Sequence, residues 1–405
     1  MKFEKFVKGG LAVGLAFTMT ACASGSTPSS ASSSTAAASS GTSAAKFKLG
    51  GSGPISGNAA VYGTAVMNAA QLAVDEINSA GGSVQFEFKF EDDQADGEAA
   101  VNAYNTLSDW GMQVSLGTVT SGAGQSVSEL YAEDNVFALT PSGSSTAIIY
   151  RDAENNADPY GNVFQMCFTD PNQGIASADY LASHTDLGTK VAIIYRNDDN
   201  YSNGLYTKFK EEAEAKGLEI VDEEAFQKDT TDFSVYVQKA QAAGADVVFL
   251  PIYYQPASQI LVAADSIGYT PTFFGCDGMD GILTLDGFDT ALAEGLYMLT
   301  PFSADATDTK TVDFVTNYKA KYGEIPNQFA ADAYDAVYAI KTALEAAGAT
   351  ADMSTADITS ALVAQFTTMS FDGVTGSGVT WNANGEVSKD PKAVVITDGA
   401  YAAAD

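Results

Sequence analysis

Two hydroxyl-rich turns are the residues of this chain whose types and spacing suit chemistry. GTVTSGAGQS (117–126) ends an apolar run in Gly, Ser and Thr, and VFALTPSGSS (136–145) repeats the pattern one helix later. In an open parallel sheet the C-terminal ends of successive strands share one edge, and ligands bind outside that edge. Small residues let the backbone approach a ligand closely. N–H groups at the start of a following helix suit an anion, and Ser121 and Ser144 add hydroxyl donors. The pair can hold a carboxylate without a guanidinium, in a chain whose only arginines are Arg151 and Arg196. Taken singly, each turn reads as an ordinary strand-to-helix connection. It is their pairing that points to one wall of a small-molecule cleft.

Covalent chemistry finds little support. His184 is the only histidine, and YLASHTDLG reads as the end of a surface helix. No G-x-S-x-G elbow occurs, and nucleophilic hydrolysis needs a base. GSGPISG (51–57) misses G-x-G-x-x-G by one residue and carries Pro54 at the turn. Asp92 and Asp93 stand about 40 residues on, where a dinucleotide site wants an acid at about 20. Counted from Asp198 as a calcium loop, the sixth position is Asn203 rather than Gly, and the twelfth is Phe209 rather than Glu. We expect no catalytic residue, no metal and no cofactor, and therefore no enzyme.

The bulk numbers agree with a binding role. The chain has 405 residues, 46% of them hydrophobic, enough for two packed domains. Acidic residues outnumber basic ones by 51 to 20, a formal net charge of -31. A surface that negative repels phosphate backbones and excludes nucleic-acid partners. MKFEKFVKGG and the short apolar LAVGLAFTMTA read as a signal peptide. Met19-Thr20-Ala21-Cys22 resembles a lipobox, which implies cleavage before Cys22 and lipid on that residue; an ordinary secretory signal with a chance cysteine is the other reading. Residues 23–45 are low-complexity Ser/Ala/Thr, expected to form a flexible tether. Cys167 and Cys276 are expected as free, partly buried thiols.

From residue 46 the pattern alternates strand and helix. Val66, Ala69, Ala70, Ala73, Val74 and Ile77 form a helical stripe that Gly81-Gly82 stops. Val84, Phe86, Phe88 and Phe90 alternate with polar residues, the period of a strand. VAIIY (191–195), VVFLP (247–251) and TFFG (272–275) are apolar runs typical of buried parallel strands. Helices are expected at about 203–216, 232–244, 255–268, 309–322, 330–347 and 356–369. Repeated units of this kind imply parallel sheets flanked by helices, in two α/β lobes.

An ordered series of segments carries a resemblance over the whole mature domain. SGPISGNAAVYGTAVMNAAQLAVDEINSAGG (52–82), EDDQAD (91–96), GTVTSG, TPSGSS, NDDNYSNGL (197–205), GCDGMDG (275–281) and SFDGVTGSG (370–378) are among them. The series resembles the leucine/isoleucine/valine-binding protein family, extracytoplasmic solute-binding proteins of amino-acid ABC importers. The resemblance implies the type I periplasmic-binding-protein fold: two Rossmann-like lobes joined by three crossovers, near Gln165–Phe168, Leu299–Phe302 and Phe371–Gly376. The lobes would then be 46–166 plus 301–370 and 167–300 plus 371–405. It also implies an amino-acid ligand, branched-chain by default, with its carboxylate on Ser121 and Ser144 and with Thr120 and Ser142 on the same wall. Asp277 becomes the counter-ion of the ammonium. Tyr62, Tyr201 and Tyr253 pack on the ligand, and Phe302 is placed in the side-chain pocket. Read without the resemblance, Asp277 serves equally as a helix cap, Tyr62 as core and Tyr201 as loop surface. A permease, an ATPase and, through the lipid, the membrane are the implied partners, on the outside of a bacterial cell. A sensor of small amides or carboxylates, working with a signalling partner, is the alternative.

Overall fold

The computed structural model describes residues 45–404. The leader, Cys22 and all of the tether but Ala45 lie outside the described residues.

The first sheet holds β1 (Phe47–Gly53), β2 (Phe86–Asp92), β3 (Val114–Ser115), β4 (Phe137–Thr140) and, after the hairpin of β5 (Tyr150–Asp152) and β6 (Ala157–Pro159), β7 (Val163–Gln165). Its order is β2-β1-β3-β4-β7, all parallel. The second sheet takes β8 (Lys190–Arg196), β9 (Glu219–Phe226), β10 (Val247–Leu250), β11 (Thr272–Gly275) and β12 (Tyr297–Thr300). After the hairpin of β13 (Thr380–Trp381) and β14 (Val387–Ser388), it is completed by β15 (Lys392–Thr397) and β16 (Ala400–Ala403). Its order is β16-β15-β12-β11-β10-β8-β9, and β15 pairs antiparallel with both β12 and β16, an edge that the repeating pattern does not announce.

The helices fall where the periodicity puts them. The chain gives α1 (Ala60–Ala80), α2 (Gly97–Trp110), α3 (Ser121–Glu133), α4 (Asp170–Ser183) and α5 (Asn200–Lys216). It continues with α6 (Ser234–Ala243), α7 (Tyr254–Ser266), α8 (Thr309–Tyr322), α9 (Gln328–Ala347) and α10 (Thr355–Phe366). Every residue of the predicted α1 stripe is buried. β1 reaches Gly53 because Gly51, Ser52 and Gly53 stay in register with Phe90, Glu91 and Asp92. A Cβ on Gly53 would stand 2.4 Å from Val119, so glycine is what lets the strand continue there.

The segment 371–388 makes its contacts with the last strand of the first sheet and with α10. Trp381 donates its indole N–H to the Gln165 carbonyl at 2.7 Å, its ring meets Phe366, and Gln165 N–H donates to Gly385 O. A buried indole needs both an apolar bed and an acceptor; Phe366 at the end of α10 is the bed, and Gln165 at the end of β7 is the acceptor. The chain reaches the second sheet only at β15.

A buried ionic cluster fixes that last passage. Lys389 Nζ donates to Asp332 at 2.6 Å and to the Thr375 hydroxyl at 2.7 Å. Thr375 in turn donates from its hydroxyl and its N–H to Asp335, which also accepts from Val374 N–H. Burial pushes the Asp332 carboxyl up, the Lys389 charge pulls it down, and Asp335 adds to the rise. Losing one member of such a cluster strands a desolvated charge. Lys389→Met is expected to lower the unfolding free energy by about 3–5 kcal/mol in urea titrations, and the K389M/D332L double variant to recover most of it.

Candidate functional site

The two serine-rich turns meet as one stitched wall. Thr140 Oγ1 donates to Thr118 O at 2.6 Å, Ser142 Oγ donates to Val119 O at 2.8 Å, and Ser145 N–H donates to Ser121 Oγ at 3.2 Å. Gly117 adopts φ 70, and a Cβ there would lie 2.7 Å from the Thr140 backbone, so glycine sets the spacing of the two turns. Gln165 holds the second turn from below, donating to the carbonyls of Gly143 and Ser145. Ser121 begins α3, whose first N–H groups have no partner within the helix.

The facing wall is built from the second sheet. Asp277 follows β11 and is 3% exposed. Tyr201, in the first turn of α5, donates its hydroxyl to Asp277 Oδ1 at 2.6 Å and accepts from Gly278 N–H at 2.9 Å. Asp277 N–H donates to Gln173 Oε1, and Gln328 Nε2 donates to the Asp277 carbonyl. Burial pushes the Asp277 carboxyl up to about 6, against the pull of the Tyr201 and Gln173 hydrogen bonds.

Tyr62 ties the walls together. Its hydroxyl donates to Gly278 O at 2.5 Å and accepts from Tyr254 N–H at 3.3 Å. Its ring lies 4.5 Å from Phe329, 5.1 Å from Tyr254 and 5.3 Å from Tyr253, which stacks on Tyr201. Asn200 also reaches across to Gln125, and Asp280 accepts from Gln328 N–H at the start of α9.

Tyr62, Thr120, Ser121, Ser142, Ser144, Tyr201, Tyr253 and Asp277 thus line one chamber. Its free volume is about 10 Å³, room for a single water, so a larger guest requires the walls to part. An adjoining outer cavity of about 620 Å³ shares Thr120 and Tyr253 with it. Phe302 stands elsewhere: it packs edge-on against Phe314 of α8 and does not line the chamber.

Two lining residues, and one buried acid beside Ser144, are passed over by the sequence reading. Val119 and Phe329 complete the apolar lining. Asp170 is 1% exposed, its N–H donates to Ser144 O, and neither carboxyl oxygen meets a donor at full hydrogen-bond geometry. Burial pushes its carboxyl well above the usual range; the Ser144 hydroxyl opposes this and the Asp277 charge adds to it. In TDPNQG, Asp170 reads only as a helix-start residue before proline, and that is also its place in α4. Among the described residues no group of three or more His, Cys, Asp or Glu side chains is arranged to hold a metal. Cys167 and Cys276 are buried, free thiols.

Comparison with known proteins adds a lineage to this geometry. A family model described as periplasmic binding protein matches residues 46–400. Leu/Ile/Val-binding protein homolog 3 of Brucella melitensis is 30% identical over 314 residues, 76% of this chain and 81% of that protein. The leucine-, isoleucine-, valine-, threonine-, and alanine-binding protein of Pseudomonas aeruginosa is 26% identical over 303 residues, 74% of this chain and 78% of that protein. The branched-chain amino acid transporter substrate-binding protein LivJ of Streptococcus pneumoniae, solved with isoleucine, superposes with a TM-score of 0.78 at 27% identity, covering 89% of this chain and 98% of that one.

Tyr62 offers a direct test of what keeps the walls together. Tyr62→Phe leaves Gly278 O and Tyr254 N–H without their shared partner, a loss of about 1–3 kcal/mol to the closed arrangement. Small-angle scattering should then give a larger radius of gyration than for the parent protein; identical profiles would assign closure to other contacts.

Proposed function

The chain belongs to the periplasmic binding protein family, and from that premise we propose that it is the substrate-binding component of an ABC importer, capturing an amino acid between its lobes for delivery to a membrane permease. The family carries the type I periplasmic-binding-protein fold, acts outside the cytoplasm and binds solutes, so the chain is not an enzyme. The amino acid is a branched-chain one by analogy with the relatives named above. Lipid on Cys22 and the Ser/Ala/Thr tether would hold the protein at the membrane. The lobe division that fits the packing is 46–166 plus 301–388 against 167–300 plus 389–405, which moves only the third crossover.

One observation carries the reading: two oppositely suited walls share a chamber. On one, the Ser121 and Ser144 hydroxyls and the first N–H groups of α3 suit a carboxylate. On the other, Asp277 suits an ammonium, to which the Ser142 backbone carbonyl of the first wall adds an acceptor. Tyr62, Tyr201 and Tyr253 close around the ligand body. A zwitterion that bridges both walls favours the closed form by its greater affinity for it, and the change is a hinge motion.

A thermal-shift panel of amino acids tests this. A site ligand at 100 times its dissociation constant adds about 2.7 kcal/mol of stability, and Asp277→Ala should abolish the response to α-amino acids. The response should also weaken as pH falls through about 6, because Asp277 then gains a proton and loses the charge that pairs with the ammonium. An unchanged titration at pH 5 and pH 7.5 would move the ammonium site elsewhere.

A further inference from the structure

One polar atom of the chamber stands where its own helix does not explain it. Thr120 occupies the N-cap of α3 with the extended backbone that capping requires, φ -101 and ψ 149, yet its side chain caps nothing. A threonine at that position ordinarily accepts from an N–H two or three residues on. Instead Thr120 Oγ1 is buried with no hydrogen-bond partner among the described residues. Its neighbours are all engaged: Thr140 and Ser142 donate to carbonyls, and Ser121 accepts from Ser145. Thr120 is 5% exposed and lies where the inner chamber meets the outer cavity, in company with the apolar Val119 and Phe329.

A buried hydroxyl left unpaired costs free energy, and a ligand atom that bonds it removes that cost. A methyl group in the same place leaves the cost standing. We infer that Thr120 makes the side-chain pocket selective for a hydroxyl-bearing, β-branched amino acid, threonine, over its isostere valine. This rests on the amino-acid reading above but departs from its branched-chain default, since threonine keeps the branch of valine at Cβ and exchanges one methyl for a hydroxyl. The two ligands differ only by a hydroxyl in place of a methyl, and Thr120→Val makes the same exchange on the protein. The selectivity therefore belongs to one hydrogen bond across the pocket. A site built to bond a hydroxyl discriminates strongly against the analogue that lacks it.

Calorimetric titration of the full chain with L-threonine and L-valine tests this, with Thr120→Val and Thr120→Ser beside the parent. The parent should bind threonine about tenfold more tightly than valine. Thr120→Ser should keep that preference, and Thr120→Val should abolish or reverse it while binding valine at least as well as the parent. Equal affinity for both ligands in the parent, or a preference for valine, would overturn the inference. So would an equal loss of both in Thr120→Val, which would put the hydroxyl on the ligand carboxylate. If the folded parent binds neither of these nor leucine, the amino-acid reading itself fails and takes this inference with it.

Discussion

A carboxyl group without a cation of its own is the constraint around which the site is arranged. Asp277 is buried, and no lysine or arginine offsets that burial; the same holds for Asp170. Desolvated carboxylates are costly unless compensated. Here the compensation within the chain is partial: a tyrosine hydroxyl to one oxygen of Asp277, and nothing at full geometry to Asp170. The burial of Asp277 among these tyrosines strengthens its attraction for any positive charge that arrives from outside. Amide and hydroxyl donors stand opposite, so the polarity across the chamber matches a molecule carrying both charges.

The chain treats its structural acids differently, and the contrast is informative. Asp332 has Lys389, Asp335 has two backbone N–H groups and a hydroxyl, and Asp93 accepts from Ser52 Oγ and Ala95 N–H. Each is closed within the protein. Asp277, which lines the chamber, is instead held by one tyrosine hydroxyl, and neither oxygen of Asp170 meets a donor at full geometry. Burial alone does not separate the two kinds of acid; the completeness of their hydrogen bonding does.

Much of this was legible in the sequence, for physical reasons that also mark where it stops. The turns after β3 and β4 stand out only as a pair, because a single run of Gly, Ser and Thr after a buried strand serves equally as an ordinary connection to a helix. The α1 stripe and the runs at 191–195 and 247–251 follow from periodicity. Asp277 and the three chamber tyrosines needed the ordered family resemblance, because an acid or an aromatic at a helix start has commoner uses. Asp170 escaped for that reason: beside Pro171 it looks like a helix start, and only packing against Gly204 and Ser144 makes it more. Phe302 went the other way, since a side chain just past a crossover turns with the next helix, and Phe314 draws it into the core. GVTGSG has the composition of a linker, which is why the third crossover is expected there; the packing of the Trp381 indole, further on, is not legible from composition.

The return of residues 371–388 to the first sheet has a consequence for how the polypeptide acquires its shape. Trp381 closes over Phe366 and seals the carbonyl end of β7, a pairing that spans more than half the chain. The starting half of the molecule thus cannot finish its interior until the final stretch has been made. Contacts so distant along the chain place a loop-closure toll ahead of consolidation and slow it. Early fragments would keep β7 uncovered, so the completed polypeptide, rather than an amino-terminal piece, is the unit that folds.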